Sequence, residues 1–150
     1  MNRTLAAALT AAAFLWALIV VCAPAALRSP VFATPAAGVY AAASRICHQR
    51  VERSFHEAGI QLPVCARCTG IYVSAAVGAL GVWVLARPRR GVSPRIALLI
   101  AAAPTAITWL LEHLGGVPFS NVTRAVAAIP LGAVAGWLLV GLLRYDSRLG

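Results

Sequence analysis

The sequence predicts an all-α integral membrane protein of about four transmembrane helices, with a small Cys/His-rich loop subdomain facing outward. Three observations carry that prediction. The 150-residue chain is 61% hydrophobic and 11% charged, where an ordinary soluble domain is roughly 45–50% apolar and about 25% charged. Its apolar residues gather into four runs, long enough to cross a hydrocarbon core of roughly 30 Å. Its basic residues sit between and beside those runs, not along one helix face. This composition excludes a soluble enzyme, a disordered chain and a disulfide-rich secreted mini-protein. The length suits one membrane domain over residues 1–150.

The first run, 5–26, holds no charged residue. Arg3 before it and Ala23-Pro24-Ala25 near its end also suit a cleaved signal peptide. Its apolar stretch exceeds the roughly 7–15 residues of a signal's central region, which favours a retained helix. The second run covers 69–86, the third 96–114 and the fourth 125–143. Pro104 and Pro130 fall inside the last two, where neighbouring helices can re-satisfy the freed carbonyls. Gly132 and Gly136 form a G-x-x-x-G, and Gly70, Ser74 and Gly78 repeat at the same interval. Small residues so spaced let helices approach closely. In a chain this rich in alanine and glycine, chance produces the same spacing.

The net charge is +9, from thirteen arginines and no lysine. Without a basic stripe, no nucleic-acid partner is expected. Arginines beside apolar runs set orientation and bind membrane lipids. Arg87, Arg89, Arg90 and Arg95 crowd the connection between runs two and three, which should hold it in the cytoplasm. Arg3, Arg144, Arg148 and both termini then share that side of a bacterial inner (plasma) membrane. The loop 27–68 and the connection 115–123 face outward, although five arginines within 27–68 pull the other way.

The outward loop holds most of the polar chemistry. Val39, Tyr40, Ala43 and Ile46 recur at helical spacing, so 36–47 reads as a short helix. Residues 54–56 and 61–64 can pair across Glu57-Ala58-Gly59-Ile60 and deliver Cys65 and Cys68 to the second membrane helix. Glu112 and His113 fall at the outer end of run three, and Asn121 and Arg124 at the outer start of run four. Ionisable residues at membrane depth are costly and are functional candidates by default. Charge topology and residue chemistry thus place Cys47, His48, His56, Cys65, Cys68, Glu112, His113 and Arg124 on one face. A purely structural Glu112–Arg124 pair, and a His113 resting at headgroup level, are the plainer readings.

Cys65-Ala66-Arg67-Cys68-Thr69-Gly70 supports two chemistries. As a metal knuckle, Cys65 and Cys68 join Cys47 and either His48 or His56 in a tetrahedral set, with zinc first and iron or copper suited to the same donors. Adjacent residues such as Cys47 and His48 seldom bind one ion together, which keeps His56 in contention. As a redox pair, Cys65 at a helix start gains a lowered thiol pKa and higher reactivity. Such an enzyme needs a second cysteine pair, for which Cys47 and Cys22 are the remaining thiols. A purely structural disulfide is the third reading.

Cys47-His48-Gln49, Arg53-Ser54-Phe55 and the string from Leu62 to Tyr72 resemble an uncharacterised prokaryotic membrane-protein family, domain of unknown function 2085. Ser120-Asn121, Arg124, Gly132 and Gly136 resemble its closing helix, and at Glu112 the match is by charge, where the family often carries aspartate. The resemblance runs from Cys47 onward and implies an integral membrane protein with a Cys/His motif, without an activity. The expected function is therefore metal binding on the outer face. One alternative is a membrane thiol–disulfide oxidoreductase. Another is a metal-dependent membrane hydrolase with Glu112 as general base. Arg53, Arg67 or Arg124 would then hold an anionic group such as a headgroup phosphate. The same arginines could simply snorkel to lipid phosphates. A homo-oligomer, the substrate and enzymatic activity itself are left open by the residues.

Overall fold

A segment immersed in hydrocarbon must satisfy its backbone N–H and C=O groups within itself, and each apolar run accordingly forms a helix. The computed structural model describes residues 2–85 and 93–145. In chain order the elements are α1 (Asn2–Leu27), α2 (Ala33–Ala43), a 3₁₀ turn (Val51–Arg53), β1 (His56–Glu57), β2 (Ile60–Gln61), α3 (Ala66–Val84), α4 (Pro94–His113) and α5 (Asn121–Tyr145). Among the described residues, α1, α3, α4 and α5 are long and apolar enough to cross a membrane. Arg87, Arg89, Arg90 and Arg148, on which the orientation expectation leans, lie outside the described residues.

Several boundaries extend beyond the apolar runs because polar residues make good helix ends. Ser93 caps α4 by accepting from the Ile96 N–H at 3.3 Å, and Pro94 follows at the first helical position, where its missing donor costs nothing. α3 begins at Ala66, one residue after Cys65, and α5 begins at Asn121. The short helix sits earlier than expected. Pro35 is tolerated in its first turn, and the chain unwinds after Ala43 through hydrogen-bonded turns to Cys47.

The helices alternate in direction. α3 and α5 are parallel and share the most extensive contact in the fold. A methyl group at Gly70 or Gly78 would strike the backbone of Ala125 or Ala133, and one at Gly136 would strike Ala75. Gly132 is equally closed, against Ile71 and the Ser74 hydroxyl. The glycine spacings are therefore the seam itself, bringing two backbones into contact as lipid-embedded helices require. Ser74 fits there because its hydroxyl donates back to the Gly70 carbonyl at 2.7 Å.

α1 packs on both α3 and α5, whereas α4 packs on α5 alone to any extent. Ala101 is the one apolar residue of α4 that is buried. Leu99 and Ile100 are 72% and 66% exposed, values that suit a lipid-facing surface and would be an aggregation hazard in water. The Thr105 hydroxyl crosses to the Ala127 carbonyl of α5 at 2.8 Å, near Pro130, which has no N–H for the Val126 carbonyl. At one end of the bundle the Trp83 indole donates to Thr10 at 3.0 Å, and the Arg144 guanidinium lies 4.7 Å over the Trp83 ring. The opposite end carries α2, the hairpin and the cysteines.

Candidate functional site

Two separate pieces of chain deliver the cysteines. Cys47 lies just past α2, its N–H bonded to the Ala43 carbonyl at 2.9 Å. Cys65 is the N-cap residue of α3, and Cys68 lies in that helix's first turn. Their Sγ atoms all lie within 4.8 Å of one another, close enough to hold a metal ion. Cys65 and Cys68 share a hydrogen bond at 3.5 Å, and the Cys65 N–H donates to Cys47 Sγ at 3.2 Å. Val20, Ala43 and Val64 pack around the group, with Trp16 and Tyr72 beside it. All four cysteines are free thiols, and Cys22 stands apart, exposed on α1.

A polar scaffold holds the loop in this shape. Gln49 adopts a left-handed backbone, φ 47°, and its amide donates to the carbonyls of Tyr40 and Pro63 at 2.8 Å each. That side chain ties the end of α2 to the strand exit before Cys65. The Gln61 amide donates to the Gln49 carbonyl at 2.7 Å, and the Tyr40 hydroxyl donates to the Gln61 carbonyl. Ser54, fully buried, donates to the Arg50 carbonyl, and its own carbonyl accepts from the Asn121 amide of α5 at 2.9 Å. The hairpin pairs His56 with Gln61 and Glu57 with Ile60. Ala58 and Gly59, with φ of 48° and 81°, form its two-residue turn, the geometry short hairpins favour. The ladder is shorter than expected, since Pro63 brings no N–H to continue it.

The Cys65 thiol is held down to about 5 by the hydrogen bond with Cys68, against the opposing effect of burial. Backbone N–H groups of Cys68 and Arg67 help, as does the Cys47 thiol. Those amides belong to the start of α3, where helix N–H groups have no partner within the helix.

Beside the thiols, one carboxylate binds two guanidiniums. Glu112 Oε2 accepts from Arg67 at 2.7 Å, and Oε1 accepts from Arg124 at 2.7 Å. The carboxylate is 4% exposed, and the arginine side chains are 13% and 11% exposed. Arg124 also donates to Asn121 Oδ1 at 2.7 Å. This bridge joins α3, α4 and α5 and carries one net positive charge. A cavity of about 530 Å³ opens against it, walled by the three cysteines, His48, Arg50, Arg53, Arg67, Arg124, Trp109 and His113 among others.

The residues singled out in the sequence therefore separate. Cys47, Cys65 and Cys68 form the thiol group, and His48 and Arg124 share its cavity wall. Glu112 stands behind that wall with both oxygens engaged. His56 lies exposed on β1 and is not part of the wall. His113 stacks on Trp109 at 4.0 Å between ring centroids. Arg67 as a partner of Glu112, and the Gln49–Gln61–Tyr40 scaffold, were not foreseen. The only hint was local: Arg67 stands between the two cysteines of the C-x-x-C.

The family described as "Predicted membrane protein (DUF2085)" matches residues 47–138. An uncharacterised protein of Methanothermobacter thermautotrophicus is 34% identical over 87 residues, 58% of this chain and 78% of that protein. An uncharacterised protein of Methanocaldococcus jannaschii is 33% identical over 103 residues, 68% of this chain and 64% of that one. Both relatives are archaeal and lend no support to the bacterial expectation. No solved structure matches this chain.

Proposed function

Because the chain belongs to the DUF2085 family of predicted membrane proteins, we propose that it works there as a metal-binding protein. Cys47, Cys65 and Cys68 hold one thiophilic ion, zinc first, with iron or copper suited to the same donors. The observation that carries this reading is the tight triangle of three free thiols. Tetrahedral zinc–thiolate bonds of about 2.3 Å imply sulfur–sulfur separations of about 3.8 Å. The 3.5 Å Cys65–Cys68 spacing lies close to that value, and small rotations would draw Cys47 in. The N–H···S bond from Cys65 to Cys47 already favours sulfur charge.

The three Sγ atoms would leave a fourth ligand position open, since neither His48 nor His56 lies within the group. His48 on the cavity wall is better placed for it than His56 on the hairpin. Left to water or a ligand, the same position makes the shell of the open, catalytic kind. Three thiolates around a divalent ion carry one net negative charge, which the single positive charge of the Arg67–Glu112–Arg124 bridge complements. With both oxygens engaged, Glu112 positions the two arginines and is poorly placed as a general base for hydrolysis.

One further observation favours a second reading. Cys65 and Cys68 sit 3.5 Å apart with Cys65 disposed to be a thiolate, which suits thiol–disulfide exchange. There the pair would form a disulfide by giving two electrons and two protons to a membrane quinone.

Elemental analysis with thiol titration on the full chain, purified in detergent without chelator, separates the readings. About one zinc or iron per chain is expected, lost in Cys65→Ser and retained in Cys22→Ser. A metal-free wild type with an oxidised Cys65–Cys68 pair would overturn the metal reading in favour of the oxidoreductase.

A further inference from the structure

We propose that the arginine-walled cavity beside the thiol group is a binding site for a phosphate group carried on a larger molecule. This names a ligand class for the cavity of the metal reading and rests on that reading for the cavity's purpose. The grip on the anion comes from the arginines themselves.

Arg53, Arg67 and Arg124 reach the cavity from three elements: the 3₁₀ turn, the first turn of α3 and the first turn of α5. The described wall contains no aspartate or glutamate. Glu112 neutralises only one of the two guanidiniums it binds. Arg53 is half-buried, and its side chain makes no hydrogen bond or ion pair among the described residues. The Nε of Arg67 is buried and has no acceptor. A buried N–H left unpaired is costly, so an acceptor in the cavity would answer a standing deficit.

The backbone adds to this. α3 and α5 are parallel, so both present their N-terminal ends on the cavity side of the fold, where helices favour anions. Guanidinium forks match phosphate oxygens in pairs, and several forks from different directions suit a tetrahedral oxyanion better than a planar carboxylate. At about 530 Å³ the cavity also falls within the range of roughly 300–1,000 Å³ for organic-ligand sites, larger than a bare ion needs. The molecule that carries the phosphate can be soluble in water or a membrane lipid.

Calorimetric titration of the detergent-purified full chain tests this. Inorganic phosphate is one probe and short-chain phosphatidic acid the other, with diacylglycerol of equal chain length as the phosphate-free reference. Saturable one-to-one binding is expected for at least one phosphate probe. It should weaken about tenfold or more in Arg53→Gln, the loss of one charge-assisted contact, and hold in Arg45→Gln, an exposed arginine outside the wall. Binding of phosphatidic acid alone assigns a lipid headgroup; binding of inorganic phosphate as well assigns the group itself. Absence of binding by both probes in metal-loaded protein overturns the proposal, and so does an unchanged affinity in Arg53→Gln. Metal is assayed on the same samples. Arg53-dependent binding by a protein without metal would sink the metal reading and leave the anion site standing.

Discussion

Glu112 carries two guanidiniums on one carboxylate at a depth where an unpaired charge is expensive. Removing one member of a buried ionic group leaves the others uncompensated, at about 3–5 kcal/mol. Glu112→Gln is therefore expected to destabilise the fold by about that amount, read as a lowered thermal unfolding midpoint in detergent. Glu112→Asp keeps the charge and should recover part of the loss. An unchanged midpoint in Glu112→Gln would show that the carboxylate does not hold the arginines together. Half of this arrangement was legible in the sequence, because Glu112 and Arg124 flank a short connection between adjacent apolar runs. The other half was not. Arg67 lies 45 residues away from Glu112, and only the parallel packing of α3 and α5 brings it in.

At the scale of elements, the glycine seam makes a claim that alanine can test. A Cβ at Gly136 would meet the backbone of Ala75, whereas one at Gly38 in α2 meets nothing within 4 Å. Gly136→Ala should cost about 1–3 kcal/mol as overpacking, and Gly38→Ala should stabilise by up to about 1 kcal/mol through helix propensity. Unfolding of both variants in one detergent checks the pair, and equal shifts would remove the seam from the account. The long helices were readable because their apolar runs have no rival explanation. Spacing alone showed that small residues recur, but not which helices they join. The loop was harder still. Its order comes from Gln49, Gln61 and Tyr40 bonding distant carbonyls, and from a left-handed Gln49 that no propensity announces. The three cysteines were found by residue type, whereas the placing of the two histidines depended on that loop geometry.

Over the whole molecule, four alternating helices put the start of α1 and the end of α5 at the end opposite the cysteines. The charge pattern leads to the expectation of a cytoplasmic arginine-rich connection; on it, a green fluorescent protein fused after residue 150 should fluoresce, and one fused after residue 60 should remain dark. The reverse pattern would turn the thiols toward the reducing interior and remove the need for metal to protect them from oxidation. The packing also divides the cavity unequally. α3 and α5 are locked along a seam that admits no extra methyl group, while α4, which supplies Thr105, Trp109 and His113 to the wall, packs on α5 over a smaller contact and adds Glu112 and one threonine hydroxyl as polar ties. A solute with a fatty tail, were it to reach the cavity from the bilayer, would meet the least packing on the α4 side. Any widening of the cavity is therefore expected at α4, while the thiol-bearing half of the site keeps its shape.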